Sequence, residues 1–125
     1  GALYIGRFLI HVDPAKAGEL FILRDGTEAI AEDAFAGCEG IHSLVFYASA
    51  DAGVYSTALS GLTGLTHLFY YTASGDATEL PASLVDRIPE GATVCFFRQK
   101  APAATEIGNF WYFDENGTPT LWQTT

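Results

Sequence analysis

The chain has 125 residues, is 49% hydrophobic with 9 Phe, 6 Tyr and 2 Trp, and carries a formal net charge of −9 with only 6 Lys and Arg. That length fits one domain with a real core, and the aromatic content is foreign to a disordered segment. So few cations argue against nucleic acid or an anionic membrane surface as partner, and no apolar run approaches the roughly 18–20 residues of a membrane span.

Taken in order, Leu3 to Ile10 reads as a strand, a turn at Gly6-Arg7 and a second short strand. Asp13-Pro14 breaks the pattern, because Pro lacks a donor and restricts the residue before it. Glu19–Leu23 is a strand by composition. Leu20 and Ile22 stand 24 residues before Leu44 and Phe46, which predicts that they share an inward face with them. Asp25-Gly26 is a turn signal. Ala29-Ile30 is a short strand, Glu32 or Asp33 a cap for a helical turn beginning near Ala34, and Ser43–Tyr47 the next strand.

The run Ala34–Tyr47 then returns as Ala58–Tyr71, 24 residues on and without a gap. Ala34, Gly37, Gly40, Leu44 and Tyr47 recur as identities, and Phe35, Cys38, Ile41 and Phe46 as Leu59, Leu62, Leu65 and Tyr70. A period of 20–29 residues with fixed apolar offsets ending in a short strand predicts a leucine-rich-repeat solenoid. The expected fold class is α/β: a short right-handed solenoid with a parallel sheet on one side and helical turns or short strands on the other. Leu84, Ile88, Val94 and Phe96 continue the array at 25–26 residues, with Pro81 and Pro89 replacing the glycine turns, as in a terminal coil. Ala101–Thr105 is a linker. Phe110–Phe113, Asp114–Gly117 and Thr118–Trp122 read as a β-hairpin cap on the Asn-Gly turn signal. The expected organisation is one domain: an irregular repeat 1–28, repeats 29–53 and 54–78, a degenerate repeat 79–100 and an aromatic hairpin 106–125.

The run Gly26–Cys38 resembles the BspA-type leucine-rich repeats of bacterial surface proteins, whose units carry Ile, then Ala-Phe, then Gly-Cys, then Leu before a strand. Tyr4-Ile5-Gly6, Leu9–Val12, Gly108–Tyr112 and Pro119 with Trp122 resemble irregular and terminal units of the same family. The second repeat departs from the pattern at Leu59 and Leu62, which keep the core apolar. The resemblance implies a secreted or bacterial cell-surface protein of adhesion type, with a protein or cell-surface ligand, no general catalytic site and no cofactor. The chain begins at Gly1 and contains no Met, the look of a processed product, so a missing targeting segment carries no weight.

If Leu44 and Phe46 face inward, the opposite face presents Phe21, Leu23, Val45, Tyr47, His67, Phe69, Tyr71, Cys95 and Phe97. Eight apolar or aromatic residues left exposed there would mark a contact surface for a protein partner. Two other readings stand beside it: the C-terminal aromatics or Leu3–Ile10 cover this face, or the register is off. The hairpin also resembles the aromatic hairpins of choline-binding cell-wall repeats, which makes Trp111, Tyr112 and Trp122 an alternative glycan or choline site, although a single copy favours a structural cap.

Enzyme chemistry finds no support in the sequence. His11, His42 and His67 show no metal-ligand spacing, and neither Cys38 nor Cys95 belongs to a zinc pair. Both cysteines read as unpaired, because a disulfide needs Cα atoms within about 7 Å. Asp51 and Asp76 recur in equivalent loops and read as solvated carboxylates.

Overall fold

The computed structural model describes residues 1–122; the last residues of the expected hairpin segment, 123–125, lie outside the described residues. The elements fall at the strand signals of the sequence. They are β1 (Ala2–Ile5), β2 (Phe8–Val12), β3 (Leu20–Ile22), β4 (Ala29–Ile30), β5 (Ser43–Tyr47), β6 (His67–Tyr71), α1 (Ala82–Val85), β7 (Thr93–Phe97), β8 (Phe110–Phe113) and β9 (Pro119–Leu121). Two sheets result: β1-β2-β4, and a six-stranded sheet in the order β3-β5-β6-β7-β8-β9.

The expected α/β leucine-rich-repeat solenoid is corrected. The protein is mostly sheet, and the larger sheet curls into a half-barrel. Among the described residues, helix is confined to α1 and the 3-10 segments Pro14–Lys16 and Ala48–Gly53. The segments expected to be helical turns are chains of tight turns instead. The Ala36, Cys38 and Ile41 N–H groups each donate to the carbonyl three residues back. Isolated turns of this kind never reach the i→i−4 pattern that propagates a helix. Gly37, with φ +78°, interrupts the run in the left-handed region. Asp33 does not cap with its side chain. It adopts φ +53°, and its carbonyl accepts from Ala36 N–H.

Close approach between successive units explains two glycines. A Cβ on Gly61 would overlap the Phe35 carbonyl, and one on Gly64 the Glu39 carbonyl. The second copy of the repeat therefore lies directly on the backbone of the first.

Strand pairing follows the 24-residue offset from β5 to β6: Ser43 with His67, Val45 with Phe69, Tyr47 with Tyr71. Val45 and Phe69 share one face, as the repeat predicts. β3 departs from the prediction by one residue. Leu20 pairs with Ser43, Phe21 with Leu44 and Ile22 with Val45. A one-residue slip exchanges the two faces of a strand. Phe21 and Leu23 therefore point into the main core, Phe21 edge-on to Phe35 at 5.3 Å. Leu20 and Ile22 are left exposed at the sheet edge.

Alternation along the strands builds two cores. The main one joins Leu44, Phe46, Leu68 and Tyr70 to Leu9, Ile30, Phe35, Ile41, Leu59 and Leu62. The second lines the inside of the curl: Val45, Phe69, Cys95, Phe97 and Trp111, flanked by Tyr47, Tyr71, Phe113 and Leu121. Arg98 ties the linker to this end. Its guanidinium donates to Glu106 at 3.0 Å and to the Ala77 carbonyl at 2.8 Å, and lies 4.4 Å from the centre of the Phe110 ring. No helix among the described residues is long and apolar enough to cross a membrane.

Candidate functional site

The face expected to be a contact surface is covered by the protein itself. β8 extends the parallel sheet, with Phe97 opposite Trp111, and β9 folds back antiparallel on β8. Asp114 sets the turn: its carboxylate accepts from the N–H groups of Asn116 and Thr118, and Gly117 takes φ +76°. Trp111 is fully buried, edge-on to Phe69 at 5.3 Å and to Phe97 at 5.2 Å. Its indole N–H donates to the Tyr70 carbonyl at 3.0 Å. Trp111 is thus a structural wedge with no face left for a ligand, which corrects its place in the alternative site.

The other candidates separate in the same way. Val45, Phe69 and Phe97 lie on the expected face but are buried under the hairpin. Tyr47 and Tyr71 are half-buried, their rings 4.8 Å apart. Burial pushes the Tyr47 hydroxyl above its usual pKa, helped by Asp25 and Tyr71. Phe21 and Leu23 belong to the main core, on the opposite face.

Between the β5–β6 and the β8–β9 strands of the curled sheet a cleft of about 600 Å³ remains. Ser43 of β5 and His67 and Phe69 of β6 form one wall; Tyr112 of β8 and Pro119 to Trp122 form the other. Residues from the two sequence-derived sites, His67 and Phe69 from one, Tyr112 and Trp122 from the other, therefore meet in a single cleft. Tyr112 and Trp122 stack at 4.2 Å with 31° between the rings. The His67 ring lies nearly parallel to Phe69 at 5.9 Å. Ser43 and Thr120 were not among the predicted site residues. Ser43 is legible as the repeat partner of His67; Thr120 carries no sequence signal.

Local hydrogen bonds define the polar groups. The Thr66 hydroxyl donates to the His42 carbonyl at 3.0 Å, which uses its only hydrogen. Its 3.0 Å contact with His67 Nδ1 is then accepted from Nδ1–H in the tautomer that protonates Nδ1. In the neutral ring this leaves Nε2 as an acceptor. The Trp122 indole N–H is enclosed and has no partner among the described residues. An enclosed unpaired donor costs about 1–3 kcal/mol.

Outside the cleft, chemistry-bearing groups are few. No cluster of three or more His, Cys, Asp or Glu side chains with metal-binding geometry occurs among the described residues. Cys38 and Cys95 are free and buried. Asp51 departs from the solvated reading. One carboxylate oxygen accepts from the Tyr70 hydroxyl at 2.6 Å, and the other is buried without a partner among the described residues. Burial raises the Asp51 pKa more than the Tyr70 bond lowers it, and burial with the Asp51 contact pushes the Tyr70 hydroxyl far up.

No family model matches this chain, and no curated protein or solved structure matches it.

Proposed function

We propose that this chain is a non-catalytic recognition domain of a secreted or cell-surface protein, and that its ligand sits in the cleft between β5–β6 and the β8–β9 hairpin. The observation that carries this reading is the convergence of Tyr112 and Trp122 with His67, Phe69 and Ser43 around one open cleft. Binding sites characteristically combine apolar and aromatic walls with a few placed polar groups, in volumes of about 300–1,000 Å³. The adhesive, cell-surface setting rests on the resemblance of Gly26–Cys38 to surface-protein repeats.

A second reading is favoured by the edge of the sheet. Leu20 and Ile22 on β3 are 39% and 46% exposed. They continue the apolar row of the curled face beyond Ser43 and Val45. A protein partner would dock there rather than in the cleft.

A binding screen against immobilised matrix proteins, glycans and choline separates the two, run with Tyr112→Ala and Ile22→Asp. Capture lost in Tyr112→Ala at unchanged melting temperature supports the cleft. Capture lost only in Ile22→Asp moves the function to the β3 edge.

A further inference from the structure

We infer that the cleft takes a neutral sugar ring of a glycan, an inference that rests on the cleft being the binding site. Charge decides first. The chain carries 15 Asp and Glu against 6 Lys and Arg, yet none of these lines the cleft. An anionic polymer would meet no Lys or Arg there and would be repelled by the molecule as a whole. A quaternary ammonium ligand would gain cation–π attraction from the rings. Its alkylated ammonium head has no hydrogen-bond donor or acceptor, so most of the polar wall groups would stay unpaired, and desolvating such groups without giving them a partner is costly.

Those polar groups include no carboxylate, lysine or arginine and are of both donor and acceptor kinds. The Ser43 hydroxyl donates or accepts. His67 Nε2 accepts in the tautomer whose Nδ1–H donates to Thr66 and donates in the other. The Thr120 hydroxyl donates to the Thr118 carbonyl at 3.0 Å and keeps its lone pairs for a ligand donor. The Trp122 side chain lines the cleft, and its enclosed N–H has no partner among the described residues. Sugar hydroxyls are donors and acceptors at once, so they match a mixed set. The C–H face of a pyranose ring is apolar and flat enough to lie on an aromatic ring, and the half-buried Tyr112 and Trp122 supply such rings in one wall.

The test is an NMR titration of the 15N-labelled domain, with calorimetry. The probes are four neutral hexasaccharides (of β-1,4-glucose, β-1,3-glucose, α-1,4-glucose and β-1,4-N-acetylglucosamine), choline chloride and polygalacturonate. At least one neutral hexasaccharide is expected to shift the Ser43, His67 and Thr120 amides and the Trp122 indole resonance. Tyr112→Ala should weaken that binding by about tenfold. Trp122→Phe, which keeps an aromatic face but removes the indole N–H, should also weaken it, with circular dichroism confirming that the variant is folded. Choline or polygalacturonate shifting these signals while all four neutral sugars fail would overturn the sugar inference and leave the cleft as the site. Silence of the cleft signals toward every probe would overturn both.

Discussion

The two cores of this protein are built by different rules. The main core is filled by residues that recur every 24 positions: Leu44 and Leu68, Phe46 and Tyr70, Ile41 and Leu65. The second core has only Val45 and Phe69 from that repeat. Its centre is Trp111, a residue of the hairpin, with Cys95 and Phe97 of β7. One core is thus specified by a repeated local pattern, the other by a single distant wedge. The first should tolerate loss of one member through its neighbours. The second should depend on one side chain.

The sharpest test of that contrast is Trp111→Ala. Removing a buried Trp costs about 3–5 kcal/mol, and here the bond to the Tyr70 carbonyl goes with it. Leu68→Ala in the main core should cost about 2–5 kcal/mol. The shape of the transition matters more than its midpoint. Urea unfolding followed by Trp fluorescence and by far-UV circular dichroism should separate into two curves for Trp111→Ala and stay coincident for Leu68→Ala. Coincident curves in both variants would mean that the two cores form one cooperative unit.

The same contrast explains how much the sequence discloses. Strands β5 and β6 and their shared register are legible because the repeat holds for fourteen consecutive positions in each copy. β3 is not, since Leu20-Phe21-Ile22-Leu23 is apolar at every position and alternation cannot choose a face. The helical turns fail because glycines at repeat positions are read as loop ends, whereas Gly61 and Gly64 are there for close stacking. The hairpin is legible in place and in its turn residues, but its role as a lid is only one reading among three. The cleft joins Ser43, His67 and Trp122 across the curl of the sheet, and no local pattern encodes that meeting.

A smaller effect probes the repeat itself. Gly40 and Gly64 occupy the same position in successive copies. A Cβ on Gly40 meets nothing within 4 Å, whereas one on Gly64 strikes the Glu39 carbonyl. Gly64→Ala should destabilise by about 1–3 kcal/mol. Gly40→Ala should stay within about 0.5 kcal/mol of the parent. Thermal melts of the pair measure stacking between copies with residue type held constant.

Smaller again is a pH effect in the main core. The Asp51 pKa is raised on folding, chiefly by burial, from an ordinary value of 3.8. The folded state therefore holds the proton more tightly than the unfolded chain. Its stabilising contribution is complete below 3.8 and is lost as pH rises through the folded value above it. Asp51→Asn cannot ionise and still offers an oxygen to the Tyr70 hydroxyl. The stability of Asp51→Asn relative to the parent should therefore rise as pH climbs above 4 and level off once the folded-state carboxyl is ionised. A constant difference across that range would show that Asp51 does not titrate differently in the two states.

The gentlest test alters nothing in the chain, because each core already contains a thiol. Cys38 lies in the main core and Cys95 in the second, both free. Burial raises both pKa values, with Asp13 adding to the effect at Cys38, and takes Cys95 to about 11. Only a thiolate reacts with a disulfide reagent, so at pH 8 each cysteine should label only when its own core opens. If the hairpin lid opens apart from the rest, Cys95 labels faster than Cys38 in the native protein. A neutral hexasaccharide held between lid and sheet should then slow Cys95 alone. Equal rates at the two cysteines, with or without sugar, would mean that the lid moves only when the whole molecule unfolds, and the difference between the cores would be one of construction without consequence for dynamics.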